Sequence, residues 1–350
     1  MSVKPLAASL AGFLMFCFAM TGAAAQQPTI PSAAWQAYVQ KFMDHSGRIV
    51  DDGNGGISHS EGQGYGMLLA VLADDAPTFE LIWSFTRTEL LLRDDGLVAW
   101  KWSPTAQPHV TDINNATDGD ILIAYALGLA GEAWKRSDYT AAGSAIAHAV
   151  LAHTIVEVRG TTLLLPGASG FAAGERADGP VINPSYWVFE AFPVLDRLAP
   201  SPVWTKLRTD GLALLRQLRF GPKELPADWV SMASSPAPAA GFPAEYGYNA
   251  LRIPLYLARA GVTEKAVLDG YLRATAGEGS NLTTIDLPSG KTKDNLSDPG
   301  YRIINHILAC LTQGTVAAGD SKSFTPTLYY PSTLHLLGLS FLAARRPECL

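Results

Sequence analysis

In GGISHSEGQGYGMLLAV, residues 55–71, a single carboxylate, Glu61, stands among glycines and small polar residues and leads into an apolar, helix-like run. Two tasks suit an acid in that setting. It can complement the dipole of a helix starting near Gly64, after Ser58 and Ser60, which is purely structural. It can also donate a proton, with small neighbours leaving room for a bulky ligand. A helix start favours an ionised carboxylate, the wrong form for an acid catalyst at neutral pH. The catalytic reading therefore calls for desolvation or a second acid nearby.

That second acid has a candidate in DINNATDGDILIAYALGLAGEAW, residues 112–134. Here Asp118 and Asp120 open a strongly apolar helix, Thr117 stands as a candidate cap, and Asn114 and Asn115 lie just upstream. Two acids at a helix start are also ordinary dipole complements. Calcium is a weak alternative, because the run lacks further oxygen ligands at fixed spacing. Aromatic side chains suited to sugar rings recur: Tyr65, Trp100, Trp102, Tyr186, Trp187, Tyr248, Tyr329 and Tyr330. Large aromatics are usually packed in cores, so Trp100 and Trp102 in AWKW, beside Lys101 and near Pro104 and Pro108, are the best exposed platforms. There is no Gly-rich phosphate loop, histidine cluster or G-x-S-x-G motif, and no cofactor motif. His59, His109 and His335 are scattered and read as surface or hydrogen-bonded core residues. Paired acids and aromatic loops point to glycoside hydrolysis.

The elements that must position these residues are helical. Trp35, Tyr38, Val39 and Phe42 share one helix face, and further helical periods read at about 64–74, 77–92, 119–134, 138–157, 185–197, 202–217, 249–260, 264–275, 300–313 and 328–344. TTLLLPG at 161–167 is the best strand candidate. Eleven or twelve helices without a low-complexity linker suit six helical hairpins closed on themselves. The loops at 51–63, 103–118, 166–184 and 219–248 are long and rich in Gly, Pro and Asp, the usual place for a site on a rigid scaffold.

The chain has 350 residues, 48% hydrophobic and 17% charged, with a net charge of -6. That composition indicates a large core, and the negative charge speaks against nucleic acid or an anionic membrane as partner. Residues 1–25 read as a secretory signal, with Lys4, an apolar run from Leu6 to Met20 and a small-residue site at Ala23–Ala25. A single exported domain, 26–350, with no membrane insertion after signal removal, is the expectation. Cys310 and Cys349 remain beyond the signal, and a disulfide between them is one option in an oxidising compartment.

At this point the residues resemble a known family. ATDGDILIAYALGLAGEAW (116–134) is similar to the long aspartate motif of glycoside hydrolase family 8, and SEGQGYGM (60–67) resembles the segment carrying that family's proton donor. LLLPG, NPSYWVF, LPADW and ALRIPLYL resemble segments of one branch, the periplasmic endoglucanases of bacterial cellulose-synthesis operons. The resemblance runs from about Trp35 to about Leu337. It implies an all-α (α/α)6 barrel and inverting hydrolysis of internal bonds in a β-1,4-glucan chain, near the cellulose synthase machinery. Glu61 would be the proton donor. Asp118 would be the aspartate described either as nucleophile or as holding the distorted sugar and the attacking water. Arg252 would orient the base, Tyr65, Trp100 and Trp102 would stack on sugars, and Asn115, Tyr186 and Asn249 would line the substrate site.

One departure matters. The base-bearing run of the related cellulases, Tyr-Asp-Ala-Ile-Arg-like, reads GYNALRI here, with Asn249 at the acid's place. A neutral amide can orient water but cannot serve as a base at ordinary pH. Asp118 is the first substitute to consider and Glu245, in FPAEYGYNA, the second. The alternatives are a weakened, glucan-binding accessory protein and a hydrolase of chitosan, xylan or mixed-linkage glucan on the same fold.

Overall fold

Prolines set where the helices begin. Pro lacks an N–H and is tolerated in the first turn of a helix but not in its interior. Pro202 and Pro299 accordingly open helices behind the caps Ser201 and Asp298, whose side chains accept from Val203 and Gly300 N–H. Pro193 and Pro254 also lie in first turns. They therefore correct two expected ranges: the helix expected at 185–197 covers only Phe192–Leu198, and the one expected at 249–260 only Ile253–Arg259. The stretches left non-helical in front of each, closed by 3-10 turns at Pro184–Tyr186 and Ala250–Arg252, face the functional cleft described below.

The computed structural model describes residues 1–2, 28–317 and 319–350, so the expected signal, apart from its first two residues, lies outside the described residues. Within them the α-helices are α1 (Ser32–Phe42), α2 (Ser60–Leu72), α3 (Ala76–Glu89), α4 (Thr117–Trp134), α5 (Ser137–His153), α6 (Phe192–Leu198), α7 (Pro202–Gln217), α8 (Ile253–Arg259), α9 (Lys265–Thr275), α10 (Pro299–Gln313) and α11 (Tyr329–Arg345). The fold is mostly helical and forms an (α/α)6-type barrel. Helices α2, α4 and α8 are apolar around most of their circumference and are buried accordingly, whereas α7 and α9 bury one face. Helix α2 packs on α3, α4 and α11; α4 packs also on α5 and α6; α6 packs on α7. Helices α8, α9 and α11 gather around α10, and α11 returns to α1 and α2 to close the ring. Between α6 and α8 the contact runs through the two 3-10 turns.

Short strands decorate the connections: β1 (Ser58–His59) pairs with β2 (Lys101–Trp102), and β3 (Ile155–Val158) with β4 (Thr161–Leu164), which contains the start of the expected strand run. Strands β5 (Val181–Ile182), β6 (Val230–Ser231) and β7 (Ala237–Pro238) form one small sheet, and β8 (Glu245–Tyr246), β9 (Leu282–Asp286) and β10 (Lys291–Leu296) another. The β9–β10 hairpin was not expected from sequence, because β10 is exposed along nearly its whole length and shows no apolar alternation. Thr117 is not a cap: Ala116 holds that position, and the Thr117 hydroxyl donates instead to the Leu165 carbonyl at 2.7 Å. Cys310 of α10 is bonded to Cys349 in the C-terminal turn, with Cα atoms 6.1 Å apart. No described helix is long and apolar enough to cross a membrane.

Candidate active site

The N-termini of α2 and α4 lie against each other, and glycine is the reason. A Cβ built on Gly119 would sit 2.1 Å from Ser60 Oγ and 2.8 Å from Glu61 N; one on Gly64 would sit 2.6 Å from Leu122 Cβ. Gly66 faces Ile49, and Gly62 faces Tyr329 and His59. The glycines around Glu61 therefore admit neighbouring protein, which corrects the expectation that they clear a path for a ligand. Helix α2 also starts at Ser60, earlier than expected. Its cap is His59, whose Nδ1 accepts from Gly62 N–H at 3.0 Å, so the other ring nitrogen carries the proton and faces Asp51 Oδ2 at 3.4 Å.

This close approach sets Glu61 beside Asp118, and one cation joins them. Arg252 ends the turn before α8 and is only 2% exposed. Its Nη1 donates to Glu61 Oε1 and its Nη2 to Asp118 Oδ2 at 2.7 Å and Ser185 Oγ at 3.1 Å. The two carboxylates differ in access: the Glu61 side chain is 20% exposed to the cleft and that of Asp118 1%. Burial pushes the Asp118 carboxyl up to about 6, with the Arg252 charge opposing and the Glu61 charge adding. Asp120, fully buried behind them, is pushed up to about 7 by the same desolvation, opposed by hydrogen bonds from Asn115 Nδ2 and Val98 N–H.

An open cleft passes over this cluster. Trp100, Tyr186, Tyr248 and Tyr330 line it together with Glu61, Asp118, Asn249 and Arg252. Trp100 is anchored by its indole N–H to Asp112 at 2.8 Å, with Lys101 Nζ over the ring. Tyr186 lies under the Arg252 guanidinium, 5.6 Å from ring centroid to Cζ. Three expected cleft residues are placed elsewhere. Tyr65 is fully buried, its hydroxyl bonded to that of Tyr256, so it presents no face to a sugar. Trp102 has His109 stacked on its ring at 4.1 Å and Arg48 over the ring at 4.8 Å, and is not among the lining residues. Asn115 is buried between Asp120 and the Ala168 N–H, bracing the turn into α4. Trp229, flagged in the sequence only as the end of LPADW and not as a sugar platform, does line the cleft, held between Phe242 at 4.4 Å and Phe171 at 5.7 Å.

Asn249 lines the same cleft, and here two expectations are corrected. Asp118 shares a guanidinium with Glu61, so the two acids stand side by side rather than across a sugar from each other. Glu245 lies on β8 with its carboxylate committed to Lys293, outside the lining residues. The carboxylate that does reach Asn249 is Asp228, buried at 4% exposure and flagged in the sequence only as part of LPADW. Its Oδ1 accepts from Gly247 N–H at 2.8 Å and Ala250 N–H at 2.9 Å; its Oδ2 accepts from Asn249 N–H and Nδ2, each at 3.3 Å. No local motif announces this contact across 21 residues.

Comparison with known proteins gives the family of the chain. The family model for glycosyl hydrolases family 8 matches residues 2–343. A probable endoglucanase of Novacetimonas hansenii is 37% identical over 328 residues, which is 91% of this chain and 92% of the relative. Among solved structures, the family 8 endoglucanase Cel10 of Klebsiella pneumoniae superposes with a TM-score of 0.80 at 33% identity, covering 90% of this chain and all of that one. The endo-β-1,4-glucanase CMCax of Acetobacter xylinum also gives 0.80, at 36% identity over 93% of this chain and 100% of its own. A helical ring with an acid pair at its rim, matched along nearly its full length, places this chain among the glycosyl hydrolases of family 8.

Proposed function

We propose that this family 8 enzyme is an exported endo-β-1,4-glucanase that cleaves internal bonds of a cellulose-like chain with inversion at the anomeric carbon. The observation that carries the reading is the Glu61–Arg252–Asp118 cluster beneath an aromatic-lined cleft open to solvent. The names of the full-length relatives, endoglucanase and endo-β-1,4-glucanase, support the substrate class. Glu61 is the accessible carboxylate, and it protonates the glycosidic oxygen as the bond to the anomeric carbon breaks. Asp118, sealed against Arg252, supplies fixed negative charge beside the oxocarbenium-like carbon and accepts from sugar hydroxyls. Trp100 and Tyr186 offer ring faces to the glucan. Water attacks from the Asn249 side. The signal-like N-terminus and the Cys310–Cys349 bond support an oxidising, extracytoplasmic compartment, periplasmic or secreted. Likeness to the cellulose-operon branch supports a role beside the cellulose synthase machinery.

The test is Glu61→Gln assayed on carboxymethylcellulose and cello-oligosaccharides, with the product anomer read by NMR. Undiminished hydrolysis removes Glu61 from the mechanism, and release of the retained anomer removes inversion. Asn249 favours a second reading, a glucan-binding accessory protein without turnover. Oligosaccharide binding with no reducing-sugar release from the unaltered chain supports that reading.

A further inference from the structure

The base position of this chain is an amide that a buried carboxylate grips from behind. We propose that Asp228 is a positioning residue for hydrolysis: it pins the Asn249 carboxamide so that its Oδ1 faces the cleft and receives the attacking water. The inference rests on the glucanase reading above and concerns the water side alone.

The orientation of the amide follows from charge. An amide oxygen turned toward the Asp228 carboxylate would be repelled, whereas the Asn249 Nδ2 donates to Asp228 Oδ2 at 3.3 Å. The oxygen then points away from Asp228, and Asn249 is among the residues that line the cleft. Asp228 has no free lone pair in the cleft, because each of its oxygens already accepts two hydrogen bonds. It acts on water only through Asn249. A charged acceptor behind the N–H also polarises the amide and strengthens the oxygen as an acceptor. The same four hydrogen bonds fix residues 247–250, the segment that leads directly into Arg252, so the acid-side cation and the water-side amide share one anchor.

The atoms balance without a carboxylate base. The water oxygen bonds to the anomeric carbon as the bond to the glycosidic oxygen breaks, and Glu61 gives its proton to that oxygen. The added water, now bound to carbon and strongly acidic, releases one proton to solvent in the open cleft. Glu61 regains one proton from solvent. The charged neighbours of the unit are Glu245, paired with Lys293 beside Gly247, and Arg252; Tyr246 and Tyr186 lie nearby. Burial holds the Asp228 carboxyl above its ordinary range, opposed by its N–H donors.

The experiment compares Asp228→Asn, Asn249→Asp and the double variant with the unaltered enzyme on a soluble cello-oligosaccharide, following kcat, KM, thermal midpoint and pH profile. In Asp228→Asn two amide NH2 groups would face each other, the Asn249 oxygen turns inward, and kcat falls roughly a hundredfold while KM stays nearly constant. The double variant moves the charge to position 249 and lets the new amide at position 228 donate to it. It recovers kcat to at least the starting level and gains a new acidic limb. Folded Asp228→Asn with kcat within about twofold of the original, or a double variant as slow as the single one, overturns the proposal. Should Asp228→Asn fail to fold, Asn249→Asp alone decides. Two carboxylates in that contact must share a proton, which lifts the limb above the ordinary carboxylate range, and a limb within that range overturns the proposal. An unaltered enzyme that releases no sugar breaks the functional reading instead.

Discussion

The acid side and the water side of the cleft are held by different physics. Glu61 and Asp118 sit on the first turns of two long buried helices, whose close approach Gly64 and Gly119 permit and Arg252 locks. Asn249 sits on irregular chain between β8 and α8, tied to Asp228 across 21 residues. A helix pair has few ways to rearrange, so the acid pair is overdetermined by packing. A loop held by one carboxylate can exchange residue types as long as its anchor remains. The difference teaches that packing of two helices fixes Glu61 and Asp118, whereas one buried carboxylate fixes Asn249.

Substitutions rank along that contrast. Glu61→Gln is expected to have the largest effect, lowering kcat on carboxymethylcellulose by roughly 10²- to 10⁴-fold without moving the thermal midpoint much. Arg252→Met leaves Asp118 buried without its cation, so stability falls by about 3–5 kcal/mol and activity is lost with it; denaturant titration and assay check both. Gly119→Ala forces a methyl into Ser60 and pries α2 from α4. It is expected to cost about 1–3 kcal/mol and to lower kcat in the surviving fold, since both acids move. Asn249→Ala should separate the two sides: kcat drops about a hundredfold, as in Asp228→Asn, with a midpoint close to the original, because a single long side-chain hydrogen bond is lost. An equal loss of stability in Asn249→Ala and Gly119→Ala would erase the contrast.

A smaller effect concerns pH. Asp120 has its pKa raised from 3.8 to about 7 by burial. A carboxyl raised on folding stabilises the native state while protonated, so its contribution is complete below about 3.8 and is lost as pH rises through about 7. Asp120→Asn removes that part of the dependence, and the difference in unfolding free energy between the two proteins should change across this window. A constant difference from pH 4 to 8 would mean that Asp120 does not titrate there.

Periodicity made most of the helices legible, and the starts behind Ser201–Pro202 and Asp298–Pro299 fell at or beside the expected positions. The two shortened helices were legible in principle at Pro193 and Pro254, because a proline inside an expected helix marks its first turn. The acids were legible as residues, and their pairing was an expectation of the motif. The status of the aromatics was not: Trp100 and Trp102 stand two residues apart in AWKW, yet one lines the cleft and the other is covered by His109 and Arg48.

By itself, then, the sequence determined the helical class, the order of elements and the two segments that carry Glu61 and Asp118, because these depend on spacings of a few residues along the chain. Tertiary structure alone decided that the glycines around Glu61 seat a helix, that Arg252 bridges residues 191 and 134 positions away, and that Asp228 stands behind Asn249. Hydrogen bonds and ion pairs act over a few ångströms whatever the chain distance between partners, and only the closed ring of helices brings those partners within reach.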